Sequence, residues 1–401
     1  MDISRKNLTS LLLLTIALVS SLTLYFYWNS GMNQVFLLVT LALLLGLVIL
    51  NRAYSDKVFI IVLCINVASL LVTMAFHRSM GVTILFINVL LASFIFNNIH
   101  VEKHTYICIH AIPAIFWSVM CIAAVSGSFY YGETYLGETY WGYTCFGMLM
   151  NENAIALLSL SCMFHWLCII EQLPFRRATR ILIAVAVSAF PVWRMIQAGC
   201  RSVLLTAIIF VILYLALRKP IPYRTFYLIV LAVIICSAGF TIVYSMYIES
   251  LGLGDIMGRD SLSRVYIWEA AFDLIKKYPI FGSGTEIQMA MLDSAHNTVL
   301  SWMKTIGLIP TVTYAFFLAR RRPDTEGTYS KVAQLVVIAS LLISFFESFY
   351  ADSMFCMSFM LFFLQPGESS KTIEEPVKSS PRGEGGLCHK VSAKLTGPCD
   401  L

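Results

Sequence analysis

Of the 401 residues, 58% are hydrophobic and only 13% are charged, and the mean hydropathy is +0.77. Soluble domains carry about 25% charged and 45–50% apolar residues, so these values exclude an ordinary soluble globule. The formal net charge of +5 says little as a total; its distribution along the chain says more.

Apolar runs at 8–28, 33–50, 58–76, 81–97, 105–126, 153–172, 179–198, 202–217, 224–247, 297–318, 331–346 and 353–364 read as transmembrane helices. Most are long enough to cross a hydrocarbon core of about 30 Å. The first follows Met1-Asp-Ile-Ser-Arg-Lys, a start like that of a signal peptide. Its length exceeds an h-region of about 7–15 residues and it lacks a small-x-small cleavage site, so it is expected to stay as the first helix. The last run spans only about 18 Å as a helix, so a full crossing there needs flanking residues or a thinner bilayer.

Lysine and arginine fall on alternate connections. Arg5, Lys6, Arg52, Lys57, Lys103, Arg176, Arg177, Arg180, Arg218, Lys219, Arg224, Arg320, Arg321, Arg322 and Lys331 form one set, whereas the opposite short loops hold only Arg78, Arg194 and Arg201. The positive-inside rule then puts the amino terminus in the cytoplasm. The eleven cysteines are scattered singly, mostly within apolar runs, and no CxxC or Cys/His spacing marks a metal site. They read as small apolar packing residues. The domain expectation is a membrane domain over 1–364 and a polar tail at 365–401, whose Ser, Pro, Gly, Glu and Lys content reads as disordered.

Two outward-facing segments are substantial. The first, 127–152, holds a doubled Gly-Glu-Thr-Tyr. Its tyrosines fit an interfacial aromatic belt; the other reading is sugar stacking, with Glu133 or Glu138 bonding hydroxyls. The second segment, 249–295, is the longest connection. Within it Asp260 and Ser261 are good N-caps, and Ser261 to Lys277 is helical in period, ended by Tyr278-Pro279 and Gly282-Ser-Gly284. Val265, Trp268, Ala271, Phe272 and Ile275 form an apolar stripe opposite Glu269, Asp273, Lys276 and Lys277. Such a helix is expected to lie on the membrane interface. Arg264 sits in its first turn, four residues before Trp268.

The loop closes on Asp293-Ser-Ala-His296-Asn297 as the next span begins, which holds His296 at the outer surface. Earlier, the short turn through Arg194, Gly199, Cys200, Arg201 and Ser202 joins two spans on the same side. Arginine at the centre of a bilayer costs about 2.5–3.5 kcal/mol or more, so such residues need a partner or an aqueous cavity. Two arginines and a histidine from distant segments thus share one membrane face. The planar guanidinium matches phosphate oxygens bidentately, and histidine is the side chain best tuned to take a proton near neutral pH. These are the two roles that displacement of a diphosphate by a hydroxyl requires. The arginines can stabilise the departing diphosphate without a metal, and the chain shows neither DxD nor HExxH. No cofactor is expected.

Gly-Cys-Arg201-Ser opening an apolar helix, Arg264-Val-Tyr-Ile-Trp268 followed by Pro279-Ile-Phe-Gly282-Ser-Gly284, and His296-Asn297 with Gly307 in the next helix resemble the O-antigen ligase/O-antigen polymerase superfamily over about 195–310. Cys200 departs from the Ser or Thr more usual before the arginine. The resemblance implies an all-α polytopic membrane protein of about 12 transmembrane helices, GT-C-like, with the partly helical periplasmic loop between spans 9 and 10. It also implies a bacterial inner-membrane glycosyltransferase with its active site at the periplasmic face. Members like this in size and topology are lipopolysaccharide O-antigen ligases, which move polysaccharide from undecaprenyl diphosphate to lipid A–core. Carried over by motif, Arg201 and Arg264 bind the diphosphate and His296 is catalytic. Arg194 and Arg259 carry no distinctive motif and read first as structural anchors, with a secondary site role as the alternative. The other histidines read as structural. The implied partners are the lipid-linked donor, the lipid A–core acceptor and membrane lipids, with no nucleic acid.

Two rival readings stand beside this one. An O-antigen or capsule polymerase shares donor and chemistry but transfers to another undecaprenyl-linked glycan. A secondary transporter also suits twelve spans, but such carriers show paired repeats with helices broken at corresponding positions, and no such correspondence is present.

Overall fold

The apolar runs build helices. The structure, a computed structural model, describes residues 3–26, 30–77, 80–130, 139–146, 148–247, 261–284, 297–319, 330–345 and 358–366, all within the unit Met1–Gly367. Nine helices follow the first nine runs to within five residues at each boundary: α1 (Ile3–Phe26), α2 (Ser30–Leu50), α3 (Lys57–His77), α4 (Met80–Asn97), α5 (Lys103–Ala123), α6 (Glu152–Gln172), α7 (Arg177–Ala198), α8 (Arg201–Ala216) and α9 (Tyr223–Tyr247). Among the described residues six helices are long and apolar enough to cross a membrane, and four shorter ones are apolar as well. Prolines inside α5 (Pro113) and α7 (Pro191) are tolerated where neighbouring helices re-satisfy the freed backbone groups.

Burial sorts these helices into a core and a perimeter. Every residue of α6 from Ile155 to Ile170 except Trp166 is buried, so α6 is the central post. On outer helices Ile61, Leu182, Val185 and Ile235 remain 58–70% exposed. Apolar rows of that kind drive association in water but are solvated by lipid tails, as a polytopic membrane protein requires. Within the core His110 of α5 and His165 of α6 face each other, Nδ1 to Nδ1 at 2.8 Å. One must donate and the other accept, so the pair shares a single proton. His165 Nε2 reaches the Ser358 hydroxyl at 3.1 Å, which ties the last helical segment to the bundle, in keeping with a structural role for both.

Three expectations are corrected. The chain is mostly helical rather than all-helical, because 125–151 is not a plain loop. It forms an antiparallel sheet of β2 (Val125–Tyr130), β3 (Thr139–Cys145) and β4 (Met148–Asn151), with Gly127 opposite Gly142 and Gly142 opposite Asn151. Tyr143, Cys145 and Met150 alternate along the strands and are buried, which anchors one face on the helices; Glu133 and Glu138 lie outside the described residues. The amphipathic helix α10 (Ser261–Lys277) docks on protein instead of lying on lipid. Its Ile267, Trp268 and Ala271 pack into one cluster with Leu300 and Phe240, while Asp273 and Lys276 pair on the exposed side at 3.1 Å.

The third correction concerns the span at 297–318, which is broken. It folds as α11 (Thr298–Ile306) and α12 (Leu308–Ala319), separated at Gly307. The break is wedged by the Pro279–Gly284 loop. Ser283 N donates to Lys304 O at 2.7 Å, Gly284 N to Thr305 O at 3.0 Å, and Leu308 N to Pro279 O at 2.9 Å. Thr73 of α3 donates its hydroxyl to Phe281 O. Both glycines at the crossing have left-handed backbones, with φ 73° at Gly282 and 82° at Gly307. A Cβ on Gly307 would stand 2.1 Å from Ile280 O, and one on Gly282 2.4 Å from Thr305 O. Of the final run, 353–357 lies outside the described residues and 358–363 is helical.

One end of the bundle gathers the basic connections. Lys331, opening α13 (Lys331–Ile343), donates to Tyr214 O at 2.9 Å and Leu217 O at 3.0 Å. Arg180 donates to Glu171 O at 3.2 Å, and Ser330 donates to the Glu171 carboxylate. Gln334 exchanges two hydrogen bonds with the Ile221 backbone at 2.7 and 2.8 Å. Here too β1 (His100–Val101) pairs in parallel with β5 (Gln365–Pro366), and Ser330 N donates to Gln365 at 3.3 Å.

Two tests follow from this architecture. Gly307→Ala incurs about 1–3 kcal/mol of backbone strain before any clash, so purified protein is expected to melt well below wild type. Gly81→Ala, whose Cβ meets nothing within 4 Å, is the matched control and should melt with wild type; equal melting of both variants would remove the joint's importance. For orientation, a cysteine at exposed Lys276 on a cysteine-free background is expected to react with an impermeant thiol reagent in intact spheroplasts. One at exposed Lys219 should stay silent. Labelling at Lys219 would invert the topology. Ser283 is unsuitable as a reporter because it is fully buried.

Candidate functional site

The end of the bundle opposite the basic network is built from four local decisions of the chain. The first is the α7–α8 turn. Gly199 closes α7 in the left-handed region at φ 67°, a conformation that glycine adopts without a Cβ penalty. Cys200 then caps α8, whose first residue is Arg201. Arg201 is exposed at the helix mouth. Arg194, almost two turns earlier, is buried. Its guanidinium donates to Ala124 O at 2.6 Å and to Gln197 Oε1 at 3.0 Å, and lies over the Trp193 ring at 5.1 Å. Arg194 therefore clamps the end of α5 and the root of the sheet. Burial pushes the nearby Cys145 thiol up to about 11, and the Arg194 charge works against that rise.

The second decision is the seat of α10. Trp268, 1% exposed, meets the Phe240 ring of α9 edge-on with centroids 6.3 Å apart. Ala271 is small enough to bring the α10 backbone close to Leu300 of α11. Arg264 is one turn before Trp268 on the same helix face, so the docking of α10 fixes where the Arg264 backbone starts. The Arg264 side chain lies outside the described residues, as do Arg259 and the rest of 248–260.

The third is the start of α11. His296 itself lies outside the described residues, but its neighbour is fixed by more hydrogen bonds than any other residue at this end among those described. Asn297 Oδ1 accepts from Leu300 N at 2.9 Å, which caps the helix. Its Nδ2 donates to Ser237 Oγ at 3.1 Å and faces Phe345 O at 3.3 Å. Thr298 N donates to Ser344 O at 3.1 Å. Ser237 lies ten residues before the end of α9 at Tyr247, about 15 Å along the axis. The residue following His296 is thus packed between α9 and the end of α13.

The fourth is the pairing of α8 with α13. Lys331 at the start of α13 bonds the end of α8, and the two helices pack together, so they run antiparallel. Arg201, opening α8, consequently shares an end with Ser344 and Phe345, which close α13 and hold Thr298 and Asn297. Arg201 and the first turn of α11 therefore lie toward the same end of the bundle, where α10 also packs on Leu300. Arg194 is at the same end but committed to its carbonyl.

Two residues escaped the sequence reading. Asn297 was legible only as part of a motif; an Asn ahead of an apolar run is the N-cap signal that could have singled it out. Lys304, 2% exposed on α11, was absorbed into an apolar run, although an ionisable residue inside such a run is itself a functional flag. No group of three or more His, Cys, Asp or Glu side chains placed to hold a metal ion occurs among the described residues; Glu133, Asp260 and Asp293 lie outside them.

Residues 186–315 match the family model described as O-antigen ligase. No curated protein and no solved structure matches the chain. The matched stretch contains Arg194, Arg201, Arg259, Arg264 and His296 together with the two glycines of the α11–α12 joint. Over residues 186–315 the chain is thus similar to the O-antigen ligase family.

Proposed function

We propose that the chain is a lipopolysaccharide O-antigen ligase of the bacterial inner membrane. It transfers O-antigen polysaccharide from undecaprenyl diphosphate to lipid A–core at the periplasmic face, with its amino terminus in the cytoplasm. Support for this reading comes from the match of residues 186–315 to the O-antigen ligase family model, a stretch that holds Arg201, Arg264 and His296. The reaction replaces one bond at the anomeric carbon by another. A hydroxyl of the acceptor attacks that carbon, His296 takes the hydroxyl proton, and the bond to the diphosphate oxygen breaks with its electron pair leaving on the diphosphate. Attack opposite the leaving group inverts the centre. Arg201 and Arg264 neutralise the charge that develops on the diphosphate, which guanidinium groups do best by bidentate hydrogen bonds. No metal enters these steps. Arg194 and Arg259 act around this centre rather than in it.

The lipopolysaccharide of a deletion strain, resolved on a gel, tests the reaction class. Loss of all long-chain material with undecaprenyl-linked polymer still present supports a ligase; core bearing a single repeat unit identifies a polymerase instead. The roles are tested by complementation and by single-turnover transfer with purified variants. Removal of a general base costs about 10²–10⁴-fold, so His296→Ala should give no detectable ligation at wild-type membrane levels while still binding donor. Arg264→Ala should weaken donor binding and transfer together, and Arg264→Lys should restore little because a point charge does not reproduce the fork. Near-wild-type transfer by His296→Ala, or full activity of Arg264→Lys, overturns the assigned roles.

A further inference from the structure

We propose that Asn297 is a positioning residue for the transfer reaction, whose side-chain amide holds His296 in register against α9 and α13. The inference rests on the reading of His296 as the base. Asn297 is fully buried, and its two side-chain functions are divided. Oδ1 faces inward along α11 and accepts from Leu300 N at 2.9 Å. Nδ2 faces away from α11 and meets Ser237 Oγ at 3.1 Å, Phe345 O at 3.3 Å and Ser237 O at 3.4 Å. Serine, threonine and aspartate share the first function, since all of them cap helices well. Only an amide combines it with donation from the same planar group. The donors reach two elements distant in sequence, at separations of 60 and 48 residues.

The backbone of Asn297 is extended, at φ −148° and ψ 124°, so the helix begins at Thr298 and His296 is joined directly to the residue that the amide holds. A cap alone would leave this end of α11 tied to α13 only through Thr298 N and Ser344 O. A small shift at Asn297 passes to His296 across a single peptide bond without unfolding anything. Misplacement of a catalytic group by about 1 Å costs on the order of 10²-fold in rate, while binding of a donor held by arginines on other helices is left alone.

The test uses the full-length protein in proteoliposomes, with undecaprenyl-diphosphate-linked glycan as donor and lipid A–core as acceptor. Asn297→Ser retains a helix cap and stays neutral, so a role limited to capping predicts wild-type kinetics. Positioning predicts turnover lower by about 10–100-fold at an unchanged half-saturating donor concentration and an unchanged melting temperature. Wild-type turnover of Asn297→Ser, or a loss confined to donor half-saturation, overturns the proposal. Should Asn297→Ser fail to accumulate, Ser237→Ala leaves the cap untouched and removes one acceptor of Nδ2; it is expected to lower turnover in the same pattern to a smaller extent, and wild-type turnover there overturns the proposal equally. His296→Ala in the same assay separates the two ideas. If that variant transfers glycan, the base assignment itself has failed; if it is silent while Asn297→Ser runs at the wild-type rate, only the positioning role has.

Discussion

The contact on which the outward half of this molecule depends is backbone against backbone, where Gly282 crosses Gly307. With either Cβ added, the loop after α10 and the α11–α12 break would interpenetrate at 2.1–2.4 Å. With both absent, the amides of Ser283 and Gly284 reach carbonyls that the helix break leaves open, and the Leu308 amide that it frees reaches Pro279 O in the loop. A helix broken inside an apolar environment must satisfy those groups within the protein, because lipid offers no partners. The loop does so, and in return the break fixes the loop. The far end of α11 is thereby tied to the end of α10, and through Thr73 to α3. Its near end is tied to α9 and α13 through Asn297. A helix of nine residues held at both ends by specific hydrogen bonds has little freedom to slide, and the His296 segment is attached to it.

The two ends of the bundle handle charge differently, and this difference matches their chemistry. At the basic end, Lys331 and Arg180 donate to main-chain carbonyls at helix termini, where cations also meet the negative end of the helix dipole. Glu171 is bonded to Ser330 and to the first turn of α13. These charges hold the bundle closed. At the opposite end only Arg194 is used this way among the described arginines whose partners are resolved, at the end of α5. Arg201 is exposed at the first turn of α8. An anionic group arriving at that end meets the positive end of α8 as well as the guanidinium, and both contributions strengthen where water is scarce.

How much of this was legible in the sequence follows from what each pattern can encode. Spans α1 to α9 were legible because a bilayer imposes a length and because apolar runs were separated by charges or turns. The break at Gly307 was not, since Leu300 to Ala319 contains a single lysine and reads as continuous; glycine marks a possible break, but only the loop that enters it makes one. Strand alternation in 125–151 was masked by tyrosine and glycine, which suit a belt, a loop or a hairpin equally. The stripe of α10 was read with Trp268, Ala271, Phe272 and Ile275, which pack in the cluster, but without Ile267, and an apolar stripe does not distinguish lipid from Leu300 and Phe240 as its partner. The motifs at Arg201, Arg264 and His296 were visible as sequence. Their common membrane face was read from the alternation of the loops, but the packing that orders this end was not, because it depends on α8 and α13 running antiparallel and on Asn297 reaching a serine 60 residues away.

The placement of Asn297 between α9 and the end of α13 bears on how the proposed transfer would be organised. A guanidinium in bulk water gains little from an anion, about 1 kcal/mol at 4 Å, and a mobile one must be ordered before it helps. Set below a rim of helices, the same pair interacts through a lower effective dielectric, and stabilisation of a departing diphosphate becomes large enough to matter to a barrier. The requirement is that the groups already be in place, since a low dielectric also punishes a charge left unpaired. Fixed helix starts meet it: α8 follows the tight turn at Gly199, α10 is seated by Trp268 and α11 is clamped at Asn297. Each presents its candidate residue within one turn of the fixed point. The polar demands of the chemistry are thus placed at helix termini, the positions where a membrane-embedded backbone tolerates them.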